Sequence, residues 1–201
     1  MALLVADDTG LLKQIRIDDQ RVLHTFGEQK FERSIQHMVL DGNNVYNILK
    51  SGHMETCDLL SGSITNSVQV TTRDCVGFDI LRTNQTRRYL TCTKQGRVDI
   101  RSFADPTPND SPYKVGTSNV FRMRLEQKEQ TSFATGGRSE QNFLKVWNVE
   151  TGQQTFRCRN LPHDMLNLAH PFWINDLQFS PQVSLSPSPT HYCYTVYSFH
   201  L

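Results

Sequence analysis

The chain has 201 residues, 37% of them hydrophobic and 20% charged, with a formal net charge of +1. That balance predicts an ordered globular chain with a sizeable core, and it argues against a disordered or strongly basic, nucleic-acid-coating one. No window holds the ~18 apolar residues of a membrane-spanning helix, and the apolar start at 1–5 lacks the basic flank of a secretory signal.

Short strand-like stretches follow one another along the chain. The first are 2–6, 11–17 and 21–25, then 34–40, 45–50, 53–59 and 67–71. Next come 76–81, 89–94, 97–103 and 113–116, then 120–125, 131–135, 143–149 and 153–158, and finally 173–179. Turn pairs separate many of them, among them Asp41-Gly42, Ser51-Gly52, Gln95-Gly96 and Thr151-Gly152. Gly10, Gly52, Gly96 and Gly137 recur at separations of 42, 44 and 41, each between two strands. A period of roughly 40–45 residues made of short strands indicates a β-propeller with four strands per blade.

Aligning the strands that follow these glycines tests the repeat. The second column is Leu12, Met54, Val98 and Leu144, and the seventh is Ile17, Leu59, Phe103 and Val149. The third is polar or charged, with Lys13, Glu55, Asp99 and Lys145. Side chains alternate across a strand, so columns two and seven point to opposite faces and both faces are covered, as between neighbouring blades. The fold class is therefore all-β, an incomplete propeller of about four blades: a first blade without its inner strand, three nearly complete blades, and the first strand of a fifth. Open ends of this kind predict apolar columns such as Leu12, Ile15 and Ile17 in water.

The partial propeller is expected over 1–181 and a non-propeller tail over 182–201. The segment 182–189 has no blade rhythm, and the aromatic-rich 191–201 joins no repeat. Gln182-Val183-Ser184 is also what translation through a splice-donor sequence produces, which leaves two origins open, an intron-derived end or a terminal extension.

The segment from Thr135 to Val149, with Gly136-Gly137 and Lys145-Val146-Trp147-Asn148, followed by Thr151-Gly152, resembles a WD-repeat strand pair. Asn148 replaces the usual Asp, and no Gly-His dipeptide opens a blade. Three further pieces narrow the resemblance: Val120-Phe121-Arg122-Met123-Arg124, the Gly136 to Trp147 segment, and Arg159-Asn160-Leu161 leading through Asp164, Pro171, Trp173 and Asp176 to Leu177-Gln178-Phe179. In this order they resemble the nucleolar WD-repeat proteins of large-ribosomal-subunit assembly, the Nop-seven-associated family. The opening Val5-Ala6-Asp7-Asp8-Thr9-Gly10-Leu11-Leu12-Lys13 is similar to the same family. The resemblance implies a seven-bladed, non-catalytic scaffold of the nucleus and nucleolus. It would join the pre-large-subunit particle, bind other ribosome-assembly proteins, contact pre-rRNA, and be released by an AAA-type ATPase. The lysine-rich C-terminal tail linked to nucleolar retention in that family has no counterpart here. The alternative is a generic WD-repeat adaptor of another nuclear or cytosolic complex.

The chemistry of the side chains favours binding over catalysis. Seven histidines are scattered without metal-ligand spacing, and no P-loop, nucleophile elbow, H-E-x-x-H or dinucleotide fingerprint occurs. No cofactor is expected. The cysteines, Cys57, Cys75, Cys92, Cys158 and Cys193, lack any C-x-x-C pair and read as reduced thiols. Arg122 and Arg124 alternate with apolar residues on an inner strand, so both guanidinium groups share a face. They either line the central channel as a clamp for acidic partners or pair with a carboxylate in a neighbouring blade. Arg87-Arg88, Arg97 and Arg101 with Arg138 read as a solvated face or an RNA patch. Partner contacts are expected at Arg122, Arg124, Arg138, Arg159, Asp164 and Trp173, with Asp164 and Asp176 also read as turn caps or backbone partners. Structural roles fall to Gly10, Gly52, Gly96, Gly137 and Gly152, and to Trp147, read as a packing residue with partner binding as the alternative.

Overall fold

The computed structural model describes residues 1–71, 74–82, 87–105, 113–116, 118–138, 142–159, 162–163, 165–167, 174–179 and 194–197. Its first sheet is β1 (Ala2–Ala6), β2 (Leu12–Arg16) and β3 (Arg21–Phe26). A 3-10 turn, Phe31–Arg33, leads to β4 (Ile35–Asp41), β5 (Asn44–Leu49), β6 (His53–Asp58) and β7 (Ser63–Gln69). The third sheet is β8 (Cys75–Arg82), β9 (Arg87–Thr93), β10 (Arg97–Ser102) and β11 (Tyr113–Lys114). The fourth is β12 (Val120–Leu125), β13 (Ser132–Gly137), β14 (Lys145–Asn148) and β15 (Gln154–Arg157). A final pair joins β16 (Asp176–Phe179) to β17 (Tyr194–Tyr197).

Each sheet is an antiparallel meander with its strands in chain order. Three four-stranded blades are thus flanked by a three-stranded sheet and a two-stranded one. The inner strands β4, β8, β12 and β16 are neighbours in that order. One expectation for the tail is corrected: within 191–201, β17 does join a sheet, pairing with β16 from Asp176↔Tyr197 to Phe179↔Tyr194. An inner strand presents a free ladder of backbone groups, and β17 satisfies one side of it.

The core lies between the blades, as stacked sheets require. Leu12, Phe26, Val45 and Cys57 join the first blade to the second. Ile48, Met54, Phe78 and Tyr89 join the second to the third, and Val98, Met123, Phe133 and Trp147 the third to the fourth. Ala134, Leu144, Val146, Ile174 and Leu177 seat the fifth unit on the fourth blade. Column two therefore faces the following blade. Phe103 of column seven faces the preceding one, packing its ring 5.0 Å from Tyr46. This arrangement corrects the expectation for Leu12: it is 1% exposed, because its face is covered by the second blade. Ile17 points the other way and is exposed, while Ile15 is half-buried.

Of the repeated glycines, Gly10, Gly52 and Gly96 have positive φ and sit between paired strands. At Gly52 (φ +88°) a Cβ would lie 2.3 Å from the Thr71 carbonyl oxygen, so both conformation and space demand glycine. Gly137 differs from the other three: it ends β13, paired with Val120. A Cβ there would lie 2.0 Å from the Asn119 oxygen, so close backbone approach, not a turn, excludes a side chain. Gly152 (φ +65°) lies between β14 and β15.

Candidate functional site

Inner strands carry the polar residues that a propeller turns toward its axis, and here they surround an open cavity of about 1320 Å³. Its walls include His37 from β4, Asp79 and Arg82 from β8, Arg122 and Arg124 from β12, and Asp176 from β16. Alternation puts Arg122 and Arg124 on one side of β12 while Met123 and Leu125 are buried in the core.

The two arginines bind the next inner strand. Arg122 Nε donates to the Asn175 carbonyl at 3.0 Å and lies 3.5 Å from Asp176 Oδ1. Arg124 donates from Nε to the Leu177 carbonyl at 3.2 Å and from Nη2 to Asp176 Oδ1 at 3.1 Å. The two readings of these residues thus coincide: both line the cavity, and both pair with one carboxylate of the neighbouring unit. Asp176 accepts the Leu177 backbone N–H as well as the two guanidinium groups. Its role as a turn cap is replaced by that of a bridge.

Two titratable groups share this wall. Burial pulls the His37 imidazole down to about 4, its bond to the Cys75 carbonyl at 3.2 Å opposes the fall, and Arg122 and Arg124 add to it. Burial pushes the Asp79 carboxyl above its ordinary value, against hydrogen bonds from Ile80 N at 2.9 Å and Gln127 Nε2 at 2.8 Å. Both groups spend polar atoms on structural bonds, and both shifts begin with desolvation. The arrangement suits recognition of charged groups better than proton transfer. Among the described residues no three His, Cys, Asp or Glu side chains group as a metal site.

The basic patch is corrected. Arg87 pairs with Asp41, Arg88 with Glu150 at 2.6 Å, and Arg97 with Asp99 at 3.2 Å. Arg101 is buried and also holds Asp99, so it does not belong to a surface patch. Carboxylates on adjacent blades take up these charges. Arg138 is exposed, with its guanidinium carbon 5.1 Å from the Phe121 ring centroid, and Arg159 is exposed too. Asp164 and Trp173 lie outside the described residues.

Trp147 is buried, stacks on Phe133 at 6.5 Å, and donates from Nε1 to Thr135 Oγ1 at 2.9 Å. Asn148, in the place of the usual Asp, still caps the following turn: its Oδ1 accepts from Glu150 N at 3.0 Å and Thr151 N at 2.9 Å. A lock absent from the sequence reading joins Arg33, in the loop before β4, to Glu55 of column three by two bonds of 2.5 and 2.7 Å. The available signal was a lone carboxylate in a strand with buried neighbours on either side.

No family model matches the chain. Its sequence is similar to WD repeat-containing protein 74 of Bos taurus, 33% identical over 97 residues, which cover 46% of this chain and 24% of that protein. The Homo sapiens counterpart is 32% identical over 96 residues with the same shares. The match therefore spans about a quarter of the relatives' length. In fold it is similar to a chain of the mitotic checkpoint complex, at TM-score 0.61 and 17% identity, covering 76% of this chain and 46% of that one. It is similar likewise to the computationally designed Ika8 protein, at TM-score 0.62 and 16% identity, covering 90% of this chain and 50% of that one. The blade order, the interblade cores and the Trp147–Thr135 bond make this chain a partial WD-repeat propeller, similar in sequence to WD repeat-containing protein 74 and so to the Nop-seven-associated family.

Proposed function

We propose that the chain is a non-catalytic scaffold in large-ribosomal-subunit assembly, acting in the nucleus and nucleolus. On this reading it joins the pre-large-subunit particle, binds other assembly proteins, and leaves through an AAA-type ATPase. The observation that carries the proposal is the 33% identity to WD repeat-containing protein 74 over 97 residues, coupled with the family-like order of motifs from Val120 to Phe179. The cavity wall supports a binding role, because Arg122, Arg124 and Asp176 hold charge at fixed positions without an adjacent nucleophile–base pair. Arg138, Arg159, Asp164 and Trp173 complete the proposed contact set, with Arg138 and Arg159 as the candidates for pre-rRNA phosphate.

Affinity purification of the tagged chain from nuclear extract tests this directly. Ribosome-assembly proteins, an AAA-type ATPase and precursor rRNA are the expected co-purifying species. Recovery of a different complex without precursor rRNA would overturn the proposal in favour of the generic adaptor.

A further inference from the structure

The first blade and the fifth unit are complementary fragments. The first sheet has three strands, β1, β2 and β3, and the alignment of β2 with β6, β10 and β14 identifies its missing member as the inner strand. The fifth unit supplies an inner strand, β16, seated on the fourth blade. One inner strand plus the other three is a complete four-stranded blade.

The exposed surfaces agree with that count. In β1, Asp7 N donates to Leu11 O and Ile17 N donates to Met1 O, so odd-numbered residues bond toward β2. Ala2, Leu4 and Ala6 therefore turn their backbone N–H and C=O groups to the opposite, open edge. On the face away from the second blade, Leu3, Val5, Ile17 and Val22 are 50%, 40%, 45% and 53% exposed. The equivalent face of the third blade carries Tyr89 and Phe103, which pack on the second blade through Tyr46. At the other end, Phe156 is paired across from Val146 and so shares the face that receives the fifth unit, yet it is 44% exposed. Each end thus presents the half of an interblade joint that the other end lacks.

We infer that two copies of this chain close head to tail, each lending β16 as the inner strand of its partner's first blade. The partner's β1 takes the position that β17 occupies on β16, and the apolar face of the partner's first blade covers Phe156. Such an interface is heterologous, and it closes into a ring of two when each copy spans half a turn. Similarity to just half of two longer propeller chains, 46% and 50% of their lengths, gives this chain that span. Strand addition at an open edge provides the backbone bonds, and the ring leaves no β1 edge in water.

Sedimentation velocity of the 201-residue chain across a concentration series reads the result. The expected species has twice the 23.1 kDa chain mass. Ile17→Lys at one end and Phe156→Lys at the other each shift it to the single-chain mass, and both sites are exposed, so circular dichroism stays unchanged. Val22→Lys serves as a second variant of the first face. Mixing Ile17→Lys with Phe156→Lys restores a two-chain species, because one intact joint remains. A monomeric parent chain, indefinite polymers, a dimer insensitive to Phe156→Lys, or a mixture that stays monomeric would each overturn the inference.

Discussion

Replacing Trp147 by Ala removes the largest side chain in the joint between the third and fourth blades. The ring is buried in one cluster with Leu81, Val98, Met123 and Phe133, and its plane lies 16° from that of Phe133. Aromatic-to-Ala changes in such cores cost about 3–5 kcal/mol. Within that total, the ring pair contributes roughly 0.5–1.5 kcal/mol, and the bond to Thr135 about 1 kcal/mol. Against a typical domain stability of about 5–15 kcal/mol, the loss is a large fraction. Urea unfolding followed by far-ultraviolet circular dichroism measures it. Trp147→Ala is expected to lower the midpoint strongly, while Trp147→Phe, which keeps most of the packing and loses the hydrogen bond, lowers it by about 1–2 kcal/mol equivalent. A midpoint unchanged by Trp147→Ala would refute the packing argument. Equal losses for Ala and Phe would assign the stability to the hydrogen bond instead.

His37 gives a pH prediction with a definite sign. The unfolded imidazole takes up its proton near pH 6.5 and the folded one only near about 4, so between these values the unfolded chain binds more protons. Stability should fall as pH drops through that window, and His37→Gln should flatten the fall; identical slopes for both chains would refute the assignment. Burial drives the Cys57 thiol up to about 12 and the Cys75 thiol up to about 11, and it raises Cys92 as well. Alkylation of the native chain followed by peptide mapping should leave these three unmodified and label Cys158, which is less buried; rapid labelling of Cys75 or Cys92 would contradict the packing. For the Arg33–Glu55 lock, Glu55→Ala leaves a largely buried guanidinium without its carboxylate and should cost about 3–5 kcal/mol. The double change Arg33→Met with Glu55→Met should restore much of that in urea unfolding, and additive losses would mean the pair is not coupled.

Much of the blade order is legible because each blade needs the same alternation and the same turns. The predicted 2–6 coincides with β1, and 120–125 with β12. The misses occur where that demand lapses. β7 begins at Ser63, whereas the pattern suggested 67, because Ser63, Ile64, Thr65 and Asn66 lie on an outermost strand exposed along this stretch and carry no alternating apolar signal. β14 shrinks to Lys145–Asn148 because Asn142 and Phe143 belong to the approach from β13 and not to the ladder. At the candidate site, the shared face of Arg122 and Arg124 followed from strand periodicity. Asp176, more than fifty residues further on, had no local signal to mark it as their common partner. The same holds for Arg33 and Glu55, 22 residues apart and on different elements.

Column three explains how a repeat of nearly uniform apolar chemistry still assembles in one order. Columns two and seven offer every blade a similar greasy contact, and such contacts alone discriminate weakly between neighbours. The third column breaks that uniformity at each joint. Glu55 takes Arg33, Asp99 takes Arg97 and Arg101, and Lys145 donates to the Val115 carbonyl at 3.3 Å with its ammonium 5.8 Å from the Trp147 ring centroid. All three are buried, so a blade stacked on the wrong neighbour would strand a charge away from its partner and from water. Apolar columns supply the cohesion, while the order of blades is enforced by residues that depart from the repeat. The order of blades fixes which loops stand side by side on the rim, and any partner that binds there reads that order.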